Sequence, residues 1–398
     1  MSNKAAAFCF SYIPIVSAFL TTFFTMSSLV FAGSNFIGRR SEPLYEDPFD
    51  IGAGGTTLTW ATQEGILINN PALLPYGEKL IRWLGFKGNI ISGFSKDSQE
   101  TLKNLGQGET STEESQSEQG QIDEFISLLP LHLGLSTTGS FITNNGGAAV
   151  FAANELDVNF WEKGDPELGV GTPNIIIRNE AYGGAYASLA TRTFWRWLSL
   201  GLSFKYVLLQ ANSETIDPTN LEQIQGLQEK FSEFSANGIG QGMGADGAFL
   251  MFFQGSHVDF RIAGSVVNVG KLKLTGGSRS SLPQMLNLGL GLSFHSTVDV
   301  IHFSLDIRDV TDESADIPDN GNIYSKNYRK IHLGVRAMLR TYLGLAAGLY
   351  HGNPTYGLEL DLIFMRLAAA FYTREYVLTP GIEKRPILTL SITSGLTF

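Results

Sequence analysis

The chain has 398 residues, 17% of them charged and 44 of them glycine, and a formal net charge of −10. Ordinary soluble domains are about 25% charged and about 7% glycine, so this chain departs from that class in both respects. An acidic balance, one unit more negative without Lys4, excludes the basic footprint of a nucleic-acid binder, and beyond Ala32 no apolar run is long enough for a membrane-crossing helix.

Residues 1–32 carry a single charge, Lys4, then an apolar run and Val30-Phe31-Ala32 ahead of Gly33. A charged start, an apolar stretch and a small residue at the cleavage point predict a secretory leader. An uncleaved membrane helix is the alternative, weakened by Pro14 and the Ser/Thr cluster from Thr21 to Ser28. Cys9 is the chain's one cysteine and lies in this leader without a lipobox before it, so neither lipid anchoring nor a disulfide framework is expected.

Residues 33–79 show the least regular pattern. Gly52-Ala53-Gly54-Gly55 permits a tight turn or a close backbone approach, and Asn70-Pro71-Ala72 ends whatever precedes it.

From residue 80 to 398 the chain divides into fourteen candidate strands: 80–94, 130–142, 147–162, 181–192, 197–211, 241–254, 257–268, 284–296, 299–310, 328–340, 342–351, 354–364, 366–376 and 387–398. Connections after even-numbered strands are short and those after odd-numbered strands mostly long, the exception being the turn from His351 to Asn353. Strict sorting of this kind puts all long loops at one end of a meander. Transmembrane barrels obey it, with short periplasmic turns and longer outer loops, and a soluble sandwich has no reason to.

The side-chain pattern agrees. Leu286, Leu288, Leu290, Leu292 and Phe294 share one face of the eighth strand, opposite Asn287, Gly289, Gly291, Ser293 and His295. Val258, Phe260 and Ile262 oppose Asp259 and Arg261 on the seventh, and Tyr356, Leu358 and Leu360 oppose Gly357, Glu359 and Asp361 on the twelfth. Successive strand side chains point to opposite faces, and a charge at mid-depth in lipid costs about 2–4 kcal/mol. The apolar set is therefore expected to face lipid and the polar set the lumen. The last strand alternates in the same way, with Leu388, Leu390, Ile392, Leu396 and Phe398 on one face and Thr389, Ser391 and Thr393 on the other.

Two outer loops have character of their own. Gln107 to Gln121 is rich in Gln, Glu, Ser and Thr and reads as a disordered acidic loop. In the third outer loop Leu221, Ile224, Leu227, Phe231 and Phe234 recur at three- and four-residue steps, the stripe of an amphipathic helix. Such a stripe either packs on the barrel rim or offers a landing surface for hydrophobic ligands.

Signals for chemistry are weak. Gly242-Met243-Gly244-Ala245-Asp246-Gly247 has dinucleotide-like spacing but leads into the apolar strand Ala248–Phe253 and not a helix. No two of the six histidines stand at metal-ligand spacing, and no nucleophile elbow is present. Neither enzyme activity, a cofactor nor a metal is expected. Lumen-facing charges of both signs, among them Glu155, Asp157, Lys205, Asp259, Arg261, Asp306, Arg308, Glu359, Arg366 and Arg374, predict ion pairs bracing the barrel and its plug. Should an anionic head group be received, the closely spaced Arg336 and Arg340 are the candidates, because guanidinium binds carboxylate in a bidentate fork.

The glycine-rich opening followed by Asn70-Pro71-Ala72 resembles the N-terminal hatch of FadL-like outer-membrane proteins. Gly244-Ala245-Asp246-Gly247 leading into an apolar strand, Val267-Asn268-Val269-Gly270 ending one, Leu282-Pro283-Gln284 before a Leu/Gly strand, and Tyr328 to Gly334 resemble the FadL and PorV-type barrels in the same order along the chain. Terminal Phe398, with Leu396, Ile392 and Leu390 behind it, resembles the signal read by the barrel assembly machinery, although Ser394 departs from that pattern. The resemblance implies an all-β transmembrane antiparallel barrel of about fourteen strands with a periplasmic hatch, in the outer membrane of a Gram-negative-type bacterium. It divides the chain into a leader (1–32), a hatch (33–79) and a barrel (80–398). It further implies passive uptake of long-chain fatty acids or other hydrophobic molecules, often through a gap in the wall, toward which Asn154 on a lipid-facing position is a hint. The alternative is a PorV-like outer-membrane scaffold in protein secretion or surface attachment, for which a secretion-system protein would be the partner.

Overall fold

The computed structural model describes residues 46–76, 82–94, 131–165, 170–216, 238–276, 281–296, 299–311, 327–339, 342–362, 365–375 and 384–397. Its strands are β1 (Arg82–Phe94), β2 (Leu131–Ile142), β3 (Gly146–Asp165), β4 (Val170–Arg192), β5 (Leu198–Ile216), β6 (Gly240–Phe253), β7 (Val258–Val267), β8 (Leu272–Lys273), β9 (Ser281–Leu282), β10 (Met285–His295), β11 (Asp299–Ile307), β12 (Ile331–Leu339), β13 (Leu343–Tyr350), β14 (Asn353–Leu362), β15 (Met365–Glu375) and β16 (Lys384–Thr397). All but β8 and β9 pair antiparallel with their neighbours in a closed barrel of fourteen strands. β1 closes it against β16, running from Arg82 opposite Thr397 to Ser92 opposite Leu388. Closure leaves no strand edge unpaired, which a sheet in lipid requires.

Period-two alternation sets which face each strand shows to lipid. Ile90, Phe204, Phe260, Leu290, Leu358 and Ile392, on six different strands, lie on the outer face and are 40–60% exposed. Their lumenal neighbours Asn89, Ser203, Asp259, Glu359 and Ser391 are all buried. An apolar belt encircling a closed barrel is stable only in lipid. None of the described helices is long and apolar enough to cross a membrane.

Residues 46–76 fill the lumen. Pro48 opens α1 (Pro48–Gly52), and the Asp47 carboxylate caps it by accepting the Phe49 N–H at 2.7 Å. A glycine and threonine segment then leads to α2 (Gln63–Asn69) and a 3₁₀ turn (Pro71–Tyr76). Gly54 and Gly55 adopt φ of 71° and 72°. A Cβ on Gly54 would stand 2.0 Å from the Leu333 carbonyl oxygen, so only glycine lets this segment lie on the wall.

Three features depart from the strand boundaries expected above. β4 begins at Val170, within a stretch read as loop, and β3, β4 and β5 reach 20, 23 and 19 residues. A membrane strand needs only about 9–11 residues. These three therefore project beyond the apolar belt at the long-loop end, held by backbone pairing that continues to Asp165 opposite Val170. Residues 327–330 form a helical turn, α3 (Asn327–Lys330), ahead of β12 where a strand was expected. The connection after β7 was read as plain loop and contains the β8–β9 hairpin.

Candidate functional site

The lumen has two unlike sides. Along β10–β15 the wall meets the hatch through polar groups. Arg336 on β12 is 1% exposed; its Nη2 donates to Asp50 Oδ1 at 3.1 Å and also to the Thr56 carbonyl, and Nη1 donates to the Trp60 carbonyl at 3.3 Å. Its guanidinium also lies 4.5 Å from the centroid of the Trp60 ring. Asp306 Oδ2 accepts the N–H groups of Thr57 at 2.7 Å and Leu58 at 3.0 Å. His332 Nδ1 donates to the Gly54 carbonyl at 2.7 Å, and Arg308 donates to the Gly55 carbonyl and to Glu46. Thr355 Oγ1 donates to the Gly52 carbonyl at 2.9 Å and accepts the Gly54 N–H at 3.1 Å. A segment without regular structure has backbone groups to satisfy, and here lumenal side chains satisfy them.

Buried ion pairs strengthen this side and the neighbouring seam at β1. Lys87 on β1 pairs with Asp47, and Arg366 on β15 with Glu359 on β14. Burial pushes the Asp50 carboxyl above its ordinary value, while the Arg336 guanidinium and the Thr62 side chain pull it back. Among the described residues no group of three or more His, Cys, Asp or Glu side chains could hold a metal ion.

Along β3–β6 the lumenal face carries a strip of apolar side chains set among buried polar ones such as Glu155, Lys205 and Asp246. Phe151 on β3, Tyr182 and Tyr186 on β4, Val207 and Leu209 on β5 and Leu250 on β6 point inward, all at 9% exposure or less. They form one cluster with hatch residues Ile66, Leu67, Ile68, Leu73 and Leu74. Phe151 lies 5.6 Å from Tyr186 and 6.4 Å from Tyr182 between ring centroids. Few polar contacts interrupt the apolar packing. Ser188 and Ser203 donate to the Leu67 carbonyl at 2.8 and 3.1 Å, the Tyr182 hydroxyl donates to Glu155 at 2.9 Å, and Lys205 Nζ pairs with Asp246 at 2.6 Å. A water-filled pore would be polar here.

A closed barrel, a hatch seated within it and an apolar strip on the lumen wall together decide the comparison with known structures. This chain has the FadL-like barrel fold. A deltaS2S3 mutant of the monoaromatic hydrocarbon channel TodX superposes with a TM-score of 0.50 at 12% identity, over 89% of this chain and 99% of that one. The Ralstonia pickettii toluene transporter TbuX covers 89% of this chain and 98% of its own at 12% identity, with a TM-score of 0.49. The Pseudomonas putida toluene transporter TodX covers 93% and 100% at 13% identity, with a TM-score of 0.46. No protein-family model and no curated protein matches the sequence.

Within this fold the residues singled out from the sequence fall in different places. Asn70, Pro71 and Ala72 lie in the hatch: Asn70 Oδ1 accepts the Ala72 N–H at 3.1 Å, and its Nδ2 donates to the Leu58 carbonyl. Arg336 faces the lumen, and its guanidinium is engaged by the hatch. Arg340, Phe398, the acidic loop from 107 to 121, the leader, and Leu221, Ile224, Leu227, Phe231 and Phe234 lie outside the described residues. Asn154 faces outward and pairs in register with Leu135 and Ala181 in a continuous sheet. Asp361 is exposed, unlike the buried Glu359 two residues before it.

Pattern reading missed the apolar strip. Phe151 and Val207 share strand faces with Glu155 and Lys205, which were expected to face the lumen, so their direction was legible; with apolar residues on both faces of β5, however, alternation gives no contrast that marks a strip.

Proposed function

We propose that the chain is an outer-membrane channel for passive uptake of hydrophobic small molecules. The observation that carries this reading is the strip from Phe151 to Leu250, apolar side chains turned away from lipid into the lumen. Burying apolar surface is worth roughly 25 cal/mol per Å², so such a strip offers a hydrophobic solute a route that water and ions do not share. The fold supports the same class, since the similar TodX barrel is a monoaromatic hydrocarbon channel. Passage through the channel is passive, and no residue performs a chemical step. The stripe of Leu221, Ile224, Leu227, Phe231 and Phe234 is assigned the first contact with ligand on the outer side.

Uptake of labelled oleate and of labelled toluene by cells with and without the protein tests the reading, alongside a variant lacking residues 220–234. Uptake of either probe that requires the protein supports the channel, and a loss in the variant supports the landing surface. Equal uptake with and without a folded barrel would turn the assignment to the PorV-like scaffold role and its protein partner.

A further inference from the structure

The connection between β7 and β10 turns inward at the long-loop end. Asn268, Gly270, Lys271 and Gly276 have φ of 55°, 77°, 66° and 87°, and these left-handed residues bend the chain into the lumen on either side of β8. There Leu272, Leu274 and Leu282 are 1%, 7% and 3% exposed and belong to the same apolar cluster as Phe151, Tyr182, Tyr186, Val207 and Leu209.

The wall is shaped to receive this hairpin. Gly242 and Gly244 are lumen-facing positions of β6, and a Cβ on them would stand 2.3 Å from the Lys273 carbonyl oxygen and 2.8 Å from Leu272 Cδ1 respectively. Any larger residue would push the hairpin out of its slot. Gln241 and Thr275 exchange backbone hydrogen bonds, 2.9 Å in each direction. At the hairpin's base Asp246 Oδ1 accepts the Asn268 N–H at 2.7 Å while holding Lys205. Yet the hairpin itself consists of two strands of two residues, far below what is stable alone. A short element, tied down at its base by Asn268 and Val269 and beyond that by the Gln241–Thr275 bridge and buried leucines, opens at low cost compared with the barrel.

We propose that the β8–β9 hairpin is an autoinhibitory lid whose Leu272 and Leu274 occupy the place of a hydrophobic ligand. The ligand site is the aromatic and aliphatic wall beneath them, and a ligand reaches it from the outer side by displacing the leucines from the slot at Gly242 and Gly244. This rests on the channel reading above. Burial of the leucines keeps the wall dry and covered when no ligand is present, and the ligand replaces their contacts with its own.

A reversible lock tests the lid. Gln241 and Thr275 face each other as a hydrogen-bonded antiparallel pair, whose Cα separation of about 5.5 Å suits a disulfide, and the only native cysteine is Cys9 in the leader. With the paired variant Gln241→Cys/Thr275→Cys in the membrane, uptake of labelled oleate and toluene is measured after oxidation and again after dithiothreitol. Oxidation is expected to slow uptake by at least about tenfold, as when a competent state falls below a tenth of its normal population. Reduction restores it, and neither single cysteine variant responds. A second variant, Leu272→Ser/Leu274→Ser, weakens the docked state and is expected to raise uptake. Undiminished uptake through the oxidised, heat-modifiable barrel overturns the lid, and so does failure of the cysteines to join, because the hairpin is then not docked against β6. Absence of uptake by the unmodified protein removes the channel reading itself, and the lid with it.

Discussion

Arg336 on the barrel wall and Asp50 in the hatch meet at 3.1 Å with both side chains 1% exposed, although 286 residues separate them in sequence. Removing one partner of a buried pair leaves an uncompensated charge, at a cost of about 3–5 kcal/mol. Arg336 also carries the carbonyls of Thr56 and Trp60. Arg336→Met is therefore expected to unseat the hatch while leaving the barrel closed. The checks are faster protease cleavage within residues 46–76 and sensitivity of cells to a bulky hydrophilic antibiotic, with heat-modifiable gel migration unchanged. The double variant Asp50→Asn/Arg336→Met recovers part of the protection, because no buried charge is left unpaired.

Gly54 tests the close approach of hatch to wall. Alanine there must adopt φ of 71° and place its Cβ 2.0 Å from the Leu333 carbonyl oxygen. The backbone conformation alone costs roughly 1–2 kcal/mol in an L-residue, and the clash forces the segment off Thr355 and His332. Gly54→Ala is expected to speed hydrogen exchange of the amides from Gly54 to Leu58. Gly88→Ala, on β1 with nothing within 4 Å of its Cβ, serves as the control and leaves exchange unchanged.

The barrel was legible in the sequence because lipid enforces period-two alternation and topology sorts the loops by length, both of which survive in residue order. Leu286 to Phe294 and Asn287 to His295 fell on the faces expected of them. The ends of β3, β4 and β5 were not legible, since beyond the lipid belt backbone pairing alone holds a strand and side chains are free to vary. That physical reason also explains why Ile175, Ile176 and Ile177 read as loop near Pro173. Arg336 was recognisable as a lumenal cation, but its partners are mostly hatch carbonyls, which no side-chain pattern reveals. The inward hairpin depends on left-handed turns at Asn268 and Lys271, where the residue types permit the conformation without requiring it.

The lipid-facing belt predicts a steep asymmetry between faces. Leu290, 44% exposed at mid-strand between Ile262 and Leu305, lies on the outer side of β10. Leu290→Arg is expected to cost about 2–4 kcal/mol of folding free energy in a bilayer. Urea titration of folding into phosphatidylcholine vesicles, read by heat-modifiable migration, measures it. An unchanged midpoint would mean that this face does not contact lipid.

Asn70 joins two hatch segments, and its two hydrogen bonds can be separated by substitution. Its Oδ1 caps the 3₁₀ turn through the Ala72 N–H, and its Nδ2 reaches back to the Leu58 carbonyl. Asn70→Asp keeps the acceptor for Ala72 and removes the donor to Leu58, where it sets a carboxylate against a carbonyl oxygen. Asn70→Ala removes both bonds; loss of the cap alone costs about 0.5–2 kcal/mol, and the stranded, buried Leu58 carbonyl adds about 1–3 kcal/mol. Hydrogen exchange is expected to separate the two effects. The Ala72 amide stays protected in the Asp variant and loses protection in the Ala variant, while the neighbourhood of Leu58 loosens in both. Equal protection of the Ala72 amide in the two variants would show that Pro71 and apolar packing, and not the Asn70 side chain, hold the turn in place.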